Sequence, residues 1–406
     1  MRIAIIGAGI AGMTAAYRLH QQGHDITLFE ANNYYGGHTA TIDVEHEGRS
    51  WAIDTGFIVF NDWTYPKFIE LLNELHVDWQ YSNMSFSLSC EKTGLEYNGT
   101  SINSLFAQRS NIFSPSFLRM IYDILRFNKQ SRHLLADKNN YITLLEFLKK
   151  NNYSEHFIQQ YIVPMGRAIW SATESAMLDF PARFFVEFFD KHGFLNVTNR
   201  PVWRTIKGGS REYARKLVAS YQHRLRLNSP IANVQRTPTC ITVQTQNGEL
   251  DSFDYVVFAC HSDQALQILQ HPSVTEREIL SAFPYQENTV TLHTDTMMLP
   301  RTPLARAAWN YHLLDRRQDR VALTYDMNVL QNISADTKFL VTLNRESDIN
   351  PQKILGSYVY HHPVYTPQAV QAQHRYDEIN GLNRTYYCGA YWGYGFHEDG
   401  VVLSLI

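Results

Sequence analysis

The first 30 residues alternate between apolar runs and one stretch of helical periodicity. Arg2 to Ile6 form an apolar, β-branched run that is typical of a buried parallel strand, and Gly7 ends it. Beyond Gly12 the apolar positions follow helical spacing as far as Gly23, and the next run, HDITLFE, predicts a second strand that ends at Glu30. The pattern therefore predicts one βαβ unit at the start of the chain.

The stretch from Tyr65 to about Phe194 has a different pattern, in which apolar residues recur at helical spacing. Helices are predicted over YPKFIELLNEL, PSFLRMIYDILRF, YITLLEFLKK, SEHFIQQYIVPM and PARFFVEFFDKHG, with Pro164, Pro181 and Gly193 as punctuation. The run FFVEFF fits either a broad packed face or the wall of a pocket. Packing in a helix bundle is the commoner role for any single aromatic residue there.

Short strands return from Trp203 onwards. A glycine pair, Gly208-Gly209, precedes a predicted helix, and Asn247-Gly248 is the strongest hairpin signal in the chain. The run FDYVVFAC predicts another buried strand. Between Val290 and Val359 short apolar runs alternate with polar breaks, which predicts a mixed sheet separate from the first. The segment TYYCGAYWGYGFHEDG then predicts a strand, a glycine-punctuated loop and the start of a helix.

Composition excludes some classes of function. The chain has 406 residues, of which 44% are hydrophobic and 13% aromatic, so it is long enough for two or three domains and folds around a substantial core. Its 36 Lys and Arg residues and 39 Asp and Glu residues give a net charge of −3. Because the basic excess that contacts phosphate backbones is missing, nucleic acid is not expected as a partner.

Neither a metal site nor a disulfide framework is expected. The pair His361-His362 lacks metal-ligand spacing, and no CxxC spacing occurs among the four cysteines, Cys90, Cys240, Cys260 and Cys388. These cysteines are interpreted as buried or idle thiols. No signal peptide and no run of about 18 apolar residues is present, so a cytoplasmic protein is expected. Amphipathic segments leave peripheral membrane contact open.

The first candidate for chemistry is the motif Gly7-Ala8-Gly9-Ile10-Ala11-Gly12, a GxGxxG sequence between a strand and a helix. Gly7 permits a tight turn, Gly9 lets the backbone approach a pyrophosphate, and Gly12 allows close helix packing. The helix N-terminus presents N–H groups to the anion. Glu30 follows at the end of the second strand, where a carboxylate accepts hydrogen bonds from ribose and repels a 2′-phosphate. The pattern predicts a dinucleotide site that disfavours NADP.

A second glycine pair, Gly36-Gly37, follows six residues after Glu30, and Asp54-Thr55-Gly56-Phe57 comes shortly afterwards. A nicotinamide dehydrogenase has no need of this extra backbone segment beside the pyrophosphate. With these residues the chain resembles the flavin-dependent amine oxidase superfamily, which includes monoamine oxidases, protoporphyrinogen oxidase and phytoene desaturases. It is most similar to bacterial NAD/FAD-binding amine oxidoreductases. KGGS around Gly208-Gly209, SPI at Ser229 to Ile231 and the terminal CGAYWGYGFHEDG extend the resemblance over nearly the whole chain.

The resemblance implies an α/β fold, with an FAD-binding Rossmann-like domain of the GR2 type and an inserted substrate domain made of a mixed sheet and helices. The FAD-binding domain is expected to comprise residues 1–62, about 200–284 and about 380–406. The substrate domain is expected to comprise residues 63–199 and 285–379.

The resemblance also implies FAD as cofactor. It implies that the backbone of Ile231 contacts adenine and that Gly389 lies beside the ribityl chain and pyrophosphate. Gly400-Val401 would begin a helix whose positive end faces the N1/O2 edge of the isoalloxazine. The full set of expected cofactor-binding residues is Gly7, Gly9, Ile10, Ala11, Gly12, Glu30, Gly36, Gly37, His38, Thr39, Thr55, Gly56, Phe57, Ile231, Gly389, Gly400 and Val401.

The chain departs from the family pattern at three places. His38 stands where family members commonly have an Arg that aids pyrophosphate binding, so phosphate binding is expected to be weaker or pH-dependent. No Lys occurs between Lys216 and Lys338, where amine oxidases usually carry one near flavin N5. Asn288 or His293 would replace it, or the water-assisted chemistry would be absent. The closing helix is expected to be very short or incomplete, which would weaken flavin retention.

The terminal loop supplies the expected substrate face. Trp392, Phe396 and His397 are the predicted catalytic residues. Tyr391 from the same loop and Trp309, Asn310 and Tyr311 from the second sheet are expected near the same flavin face. Aromatic residues can enclose a substrate, and His397 is the group in the loop expected to titrate near neutral pH. Glu398 and Asp399 fit a helix-capping role equally well. A covalent flavin link at Cys388 has no supporting motif.

The resemblance therefore implies hydride transfer to flavin from a small-molecule substrate. The missing Lys and the aromatic helices favour an apolar acyl or isoprenoid-like substrate over an amine. Two alternatives stay open at this point: a flavin-retaining isomerase of unsaturated fatty acids, and a catalytically silent FAD-binding protein. No GxSxG or HExxH motif supports a hydrolase.

Overall fold

The fold is described from a computed structural model, which covers residues 1–136, 142–316 and 319–404. Tyr141, at the start of one predicted helix, and Ile406, at the end of the predicted FAD-binding domain, lie outside these ranges.

A five-stranded parallel sheet carries the N-terminal βαβ unit. Its strand order is β10 (Leu225–Arg226), β2 (Asp25–Phe29), β1 (Arg2–Ile6), β14 (Tyr255–Phe258) and β20 (Thr385–Tyr387). Helix α1 (Ile10–Gln21) connects β1 to β2, as predicted, but it begins two residues before Gly12. Gly12 therefore lies in the first turn, where a Cβ atom would overlap the carbonyl oxygen of Gly7.

A seven-stranded mixed sheet forms the second large layer, as the strand pattern of the C-terminal half predicts. Its order is β19 (Ile354–Pro363), β15 (Tyr285–His293), β18 (Leu340–Leu343), β17 (Leu323–Asp326), β16 (Trp309–Leu313), β7 (Phe86–Cys90) and β8 (Glu96–Asn98). Strands β7 and β8 fall in the stretch predicted to be helical. They were missed because each is short and β7 pairs with β16, more than 200 positions further along the chain.

Three smaller sheets complete the β structure. One contains β11 (Ile231–Arg236), β12 (Ile241–Thr245) and β13 (Leu250–Phe253), and another pairs β3 (Thr41–His46) with β4 (Arg49–Asp54). The predicted Asn247-Gly248 hairpin is confirmed between β12 and β13, with Gly248 at φ +92°. The third sheet contains β5 (Phe60–Asn61), β9 (Trp203–Ile206) and β6 (Trp79–Tyr81), so it joins segments on both sides of the expected domain boundaries.

Most helices between residues 66 and 191 follow the predicted segments, whereas the short helices Ile102–Leu105 and Glu174–Leu178 were not predicted. They are α2 (Pro66–Glu74), α3 (Ile102–Leu105), α4 (Pro115–Gln130), α5 (Leu144–Lys150), α6 (Glu155–Phe157), α7 (Val163–Trp170), α8 (Glu174–Leu178) and α9 (Ala182–Lys191). A π-helical turn, Ile158–Ile162, joins α6 to α7. It lies directly before Pro164, whose ring and missing N–H disrupt regular α-helical hydrogen bonding.

The remaining helices are α10 (Arg211–Val218), α11 (Ser262–Ile268), α12 (Val274–Leu280), α13 (Met327–Leu330), α14 (Pro367–Gln373) and α15 (His397–Val402). Short 3-10 helices span Arg109–Phe113, Ser131–Ala136, Gln222–Arg224, Thr296–Met298, Pro303–Ala305, Glu346–Asp348, Pro351–Lys353, Tyr376–Glu378, Leu382–Arg384 and Ala390–Trp392. Within the described ranges, none of the helices has the length and apolar character that crossing a bilayer requires.

The hydrophobic core has three parts, and two of them meet at the terminal segment of the chain. One packs α1, α2 and α10 against the parallel sheet. The other packs α4 to α9 against the seven-stranded sheet, and its aromatic residues include Phe157, Trp170, Phe185 and Phe188. Because both parts include side chains from the terminal segment around Phe396, that segment lies between them.

Candidate functional site

A cavity of about 960 Å³ is lined by residues from both core regions. This volume lies at the upper end of the range for ligand pockets, about 300–1,000 Å³. The expected cofactor residues that line it are Gly7, Gly9, Ile10, Ala11, Glu30, Gly36, Gly37, His38, Gly56, Phe57, Ile231 and Gly389. Gly12, Thr39, Thr55, Gly400 and Val401 do not line it.

Backbone groups build one end of the cavity, which we call the glycine end and define by Gly7, Gly9, Gly36 and Glu30. Gly36 donates its N–H to the carbonyl of Ala8 at 2.8 Å, so the second glycine pair packs directly on the first glycine loop. A Cβ atom at Gly9 would have no protein atom within 4 Å, which means that this position faces open cavity. The missing Cβ of Gly9 thus leaves room for a ligand rather than for protein packing.

Glu30 is held by its neighbours at this end. The N–H of Ala8 donates to its Oε2 at 2.9 Å, and the N–H and side-chain amide of Asn32 both donate to its Oε1 at 2.9 Å. Ser229 donates its N–H to the carbonyl of Glu30 at 2.9 Å, which brings the segment Ser229 to Ile231 to the same wall. Within the described ranges, Glu30 is the only Asp, Glu, Lys or Arg that lines the cavity.

The N-terminus of α1 opens onto the glycine end. Gly9 is its N-cap, no side chain accepts a hydrogen bond there, and no acidic residue lies in the first turn. The free N–H groups and the helix dipole favour an anion at this position.

His38 lies beside this helix end and is partly buried. Its ring stacks on His362 with a centroid distance of 5.2 Å, and its Nε2 has no hydrogen-bond partner among the described residues. Burial, together with smaller contributions from His261 and His361, lowers the pKa of His38 to about 4. The adjacent residues His361 and His362 differ in exposure. His361 is about half exposed, whereas His362 is partly buried, and burial lowers the pKa of His362 to about 3.

The DTGF and KGGS motifs meet at a buried carboxylate. Asp54 accepts hydrogen bonds from the hydroxyl of Thr41 at 2.6 Å and from the N–H and hydroxyl of Ser210, both at 2.8 Å. The side-chain amide of Gln331 donates to its other oxygen at 3.0 Å. Burial raises the pKa of Asp54 to about 6 although these bonds lower it. This network connects β4 to the start of α10 behind the Gly56 wall.

His397 lines the cavity next to Phe57. Its ring stacks on Phe57 at a centroid distance of 3.6 Å, and its Nε2 lies 3.1 Å from the hydroxyl of Thr39 and 3.0 Å from that of Tyr213. Burial holds the pKa of His397 well below its usual range. The expectation that this group titrates near neutral pH is therefore wrong, because the ring is enclosed by aromatic side chains.

The other residues of the terminal segment shape the loop. Glu398 accepts hydrogen bonds from the N–H groups of Lys67 and Phe68, at the start of α2, and Asp399 accepts from the N–H groups of Tyr394 and Phe396. Both are capping residues, which was one of the two expectations.

Helix α15 begins at His397 rather than at Gly400, so Gly400 and Val401 lie inside it and Gly400 packs on Ile10. Trp392 does not line the cavity. It packs on Phe283 and Tyr376, at ring centroid distances of 5.3 and 4.9 Å.

Aromatic side chains build the opposite end of the cavity, which we call the aromatic end. Phe188 is its centre: the ring centroids of Trp170, His192 and Phe396 lie 4.7, 3.8 and 5.2 Å from that of Phe188. The other members are Met84, Phe194, Trp203, Trp309, Tyr325 and Tyr394. Burial lowers the pKa of His192 to about 4, so the ring is neutral at pH 7.

The FFVEFF run indicated Phe188, but Trp170, His192 and Tyr325 were missed. No sequence motif marks these positions.

The structure does not bring the suggested substitutes for the missing Lys to the cavity. Asn288 hydrogen-bonds to Asn344 and lies near His362, and His293 hydrogen-bonds to Thr342, so neither lines the cavity. Asn310 and Tyr311 are also buried away from it, whereas Trp309 and Tyr391 line it.

The described ranges contain neither a disulfide nor a cluster of side chains arranged to hold a metal ion. Cys90 and Cys388 are buried and all four cysteines are unpaired. Cys260 lines the cavity, and burial raises the pKa of its thiol to about 12, so the thiol is protonated. No group of three or more His, Cys, Asp or Glu side chains in residues 1–136, 142–316 and 319–404 is arranged to hold a metal ion.

The parallel sheet and the glycine end are typical of a dinucleotide-binding protein. The aromatic end adds an apolar pocket to this site. A profile of the family described as flavin containing amine oxidoreductase matches residues 10–301. The chain therefore belongs to this family, which places it among the FAD-dependent oxidoreductases. The resemblance seen in the sequence motifs, the fold class and FAD as cofactor are all confirmed.

The curated relatives are distant in sequence, but the matches cover most of this chain. A probable flavin-containing monoamine oxidase A of Dictyostelium discoideum is 22% identical over 72% of this chain and 65% of its own length. The flavin-containing amine oxidase B of Bos taurus is 21% identical over 97% of this chain and 76% of its own length. The chain thus spans about two thirds to three quarters of these proteins.

Solved structures share the fold. A conjugated-linoleic-acid-producing fatty acid isomerase from P. acnes has a TM-score of 0.71 and 18% identity, covering 99% of this chain and 96% of that one. Cyclohexylamine oxidase from Brevibacterium oxydans has the same TM-score and coverage with 15% identity.

The residues present fit FAD. Gly9 leaves open space at the N-terminus of an uncapped helix, which suits a pyrophosphate, and Glu30 offers carboxylate oxygens to ribose. The buried, unpartnered Nε2 of His38 provides a further polar atom at the same wall. The large cavity gives the nucleotide and a substrate a common space.

Proposed function

We propose that the protein oxidises a neutral, largely apolar small molecule by hydride transfer to FAD. In this proposal, segments 1–62, 200–284 and 380–406 bind the cofactor, and segments 63–199 and 285–379 bind the substrate. The observation that carries it is the lining of the aromatic end, where the described residues include no Asp, Glu, Lys or Arg. When bound, FAD supplies the hydride acceptor.

The absence of charge at the aromatic end favours an uncharged substrate. A buried ion needs a partner of opposite charge, because desolvating it alone costs several kcal/mol. His192 is neutral at pH 7 because of burial, so it does not pair with a carboxylate. A free fatty acid would lack a cationic partner at this end, and a diamine would lack a carboxylate partner. An amine remains a candidate in its neutral form.

One polar group at the aromatic end supports a finer statement. The indole N–H of Trp309 is buried and has no hydrogen-bond partner among the described residues. A buried donor without a partner costs about 1–3 kcal/mol, which a ligand acceptor would recover. We propose that the substrate carries a carbonyl, ester or ether oxygen that accepts this hydrogen bond. Phe396, His397 and Phe57 enclose the reacting region and exclude water from it.

The test is anaerobic bleaching of the flavin absorbance. The purified protein is mixed with three panels: neutral long-chain esters and isoprenoids, primary monoamines, and diamines. Bleaching by the neutral panel, with reoxidation in air, is the expected result. Bleaching by diamines alone would contradict the apolar assignment. Conversion of an unsaturated fatty acid without bleaching or any acceptor would instead establish the isomerase, and a protein that stays colourless after addition of FAD would contradict both.

Two tryptophan variants test the hydrogen-bond assignment. Trp309→Phe keeps the ring but removes the donor, and it is expected to raise KM about tenfold for substrates that carry an oxygen acceptor. Trp63→Phe is the matched control, because Trp63 does not line the cavity. Equal effects of the two variants would contradict a role for the Trp309 N–H.

A further inference from the structure

Helix α4 carries apolar side chains on two opposite sides. Its inner side buries Phe117, Met120 and Phe127 in the core. Its outer side exposes Leu118, Tyr122 and Leu125, which lie at i, i+4 and i+7 and therefore share one face. A surface helix normally presents polar residues to water on this side. About half of the surface of each of these three side chains is exposed to water.

The chain just before α4 extends this stripe. Phe113, at the end of the 3-10 helix Arg109–Phe113, is 86% exposed, and Ile102, at the start of α3, is 79% exposed. Arg109 joins α3 to the 3-10 helix through hydrogen bonds to the carbonyl groups of Asn103 and Phe106. We define the α3–α4 patch as Ile102, Ile112, Phe113, Leu118, Tyr122 and Leu125, all of them exposed.

The patch lies in the most basic part of the chain's helical region. Residues 101–133 contain five of the protein's 36 Lys and Arg residues but only one of its 39 Asp and Glu residues. That acid, Asp123, is buried and pairs with Arg119 at 3.2 Å and Arg126 at 3.0 Å. Asp190 of α9 pairs with Arg132 at 2.9 Å, so two carboxylates face five cations and the patch keeps a positive charge on a protein whose net charge is −3.

The positions of the basic residues match an interface between apolar and aqueous phases. Lys129 is exposed and follows Leu118 by eleven residues, so it continues the apolar stripe at the end of α4. The Arg119 guanidinium lies 5.3 Å from the ring centroid of Tyr122. Long basic side chains beside apolar ones reach the polar headgroups while their stems and neighbours enter the acyl boundary.

We propose that the α3–α4 patch docks on the surface of an anionic lipid bilayer. Exposed aliphatic and aromatic side chains would enter the headgroup boundary, and the basic residues around them would attract anionic headgroups. A protein partner would need a specific complementary surface, whereas a bilayer requires only the amphipathic pattern observed. This inference goes beyond the proposed reaction and does not depend on it.

The location of the patch suits delivery of an apolar compound. Helix α4 packs on α6, and α7, which follows α6 through the π-helical turn, contributes Ile169 and Trp170 to the cavity lining. The helix that carries the patch therefore packs on the same continuous segment, α6 to α7, that supplies part of the cavity wall.

Flotation with lipid vesicles tests the proposal without using turnover or flavin colour. The full chain is mixed with vesicles of phosphatidylcholine alone and with vesicles that also contain phosphatidylglycerol. Flotation with the anionic vesicles and its loss at high salt are the expected results. Failure to float with anionic vesicles, or equal flotation with both kinds, would overturn the proposal.

Matched variants localise the contact. The double variant Phe113→Ser, Leu125→Ser is expected to lower vesicle partitioning by at least about tenfold. Lys129→Glu is expected to lower it about fivefold or more. The controls are Val274→Ser, which removes an equally exposed valine from α12, and Lys150→Glu, at the exposed end of α5. Both controls should float like the unaltered protein, and circular dichroism should show that all variants stay folded.

Size-exclusion chromatography addresses a second copy of the chain as the occupant. A dimer that the Phe113→Ser, Leu125→Ser variant abolishes, together with no vesicle binding, would overturn the bilayer assignment. A monomer that floats only with anionic vesicles supports it.

Discussion

The two ends of the cavity are built in different ways. At the glycine end the shape comes from the backbone, because Gly36 donates to Ala8 and Gly9 leaves open space at the start of α1. At the aromatic end the shape comes from side chains, because Phe188 contacts Trp170, His192 and Phe396. A site whose wall is backbone tolerates little added side-chain volume, whereas a site whose wall is side chains changes shape when those residues are substituted. Recognition of the cofactor is therefore expected to be rigid, and recognition of the substrate adaptable.

The largest expected effect is at the aromatic end. Phe188→Ala should lower the free energy of unfolding by about 3–5 kcal/mol, because the lost ring leaves a cavity among buried aromatic side chains. Phe113→Ala is the control, since Phe113 is almost fully exposed and should change stability by less than about 0.5 kcal/mol. Chemical denaturation measures both. Similar values for the two variants would contradict a central packing role for Phe188.

The next effect isolates the glycine end. Gly9→Val should weaken FAD binding at least about 100-fold while the protein stays folded, because the new side chain enters ligand space and meets no protein atom. Gly99→Val is the control, since the nearest atom to its Cβ position is 4.0 Å away and it does not line the cavity. Flavin absorbance per protein and a thermal melt give the two readouts. Normal flavin content in Gly9→Val would contradict the assignment of the glycine end to the cofactor.

A third variant probes the polar network behind the glycine end. Asp54→Asn should lower the free energy of unfolding by about 2 kcal/mol, because a buried acceptor of four hydrogen bonds is replaced. Asp43→Asn should cost less than about 1 kcal/mol, because its ion pair with Arg211 is exposed to solvent. Denaturant titration at pH 7 compares the two. Equal losses of unfolding free energy in the two variants would show that the buried position of Asp54 adds nothing to the stability of the fold.

The smallest effect is a pH dependence. Burial lowers the pKa values of His38 and His362 to about 4 and about 3, below the ordinary value of about 6.5. The unfolded chain therefore binds more protons between pH 6.5 and 4, so the free energy of unfolding of the FAD-free protein should fall as the pH is lowered through this window.

Replacing one histidine sharpens this prediction. His362→Gln should reduce the loss between pH 6.5 and 4 by at least about 1 kcal/mol. His374→Gln is the control, because this side chain is exposed and does not line the cavity. Denaturation curves at both pH values provide the measurement, and an unchanged slope in His362→Gln would exclude its burial as the cause.

The sequence was informative where the backbone alone determines the structure. The spacing of Gly7, Gly9 and Gly12 between an apolar run and a helix predicts the βαβ unit, because few residues other than glycine adopt those conformations or permit that approach. Most helices between residues 66 and 191 were predictable from apolar periodicity, but the short helices α3 and α8 were not. The family followed from the order of glycine motifs along the chain.

Contacts between distant segments were not predictable. The ring of His397 meets Phe57 and Tyr213, and His38 meets His362, although these partners are far apart in sequence. Burial at these contacts lowers the pKa of His397. The sequence does not show this burial, and the expectation that His397 titrates near neutral pH was wrong for that reason. The inner position of Gly400 and the distance of Trp392 from the cavity likewise depend on how the terminal loop closes.

The sheet that bears the glycine end places the third residue of the chain beside residue 255, and strand 255–258 beside strand 385–387. At a synthesis rate of about 5–20 residues per second, β1 waits roughly 20 to 80 s for β20 to leave the ribosome. Neither Gly389 nor His397 can take its place before then. The cavity wall that combines Gly9 with Gly389 is consequently completed late in the synthesis of the chain.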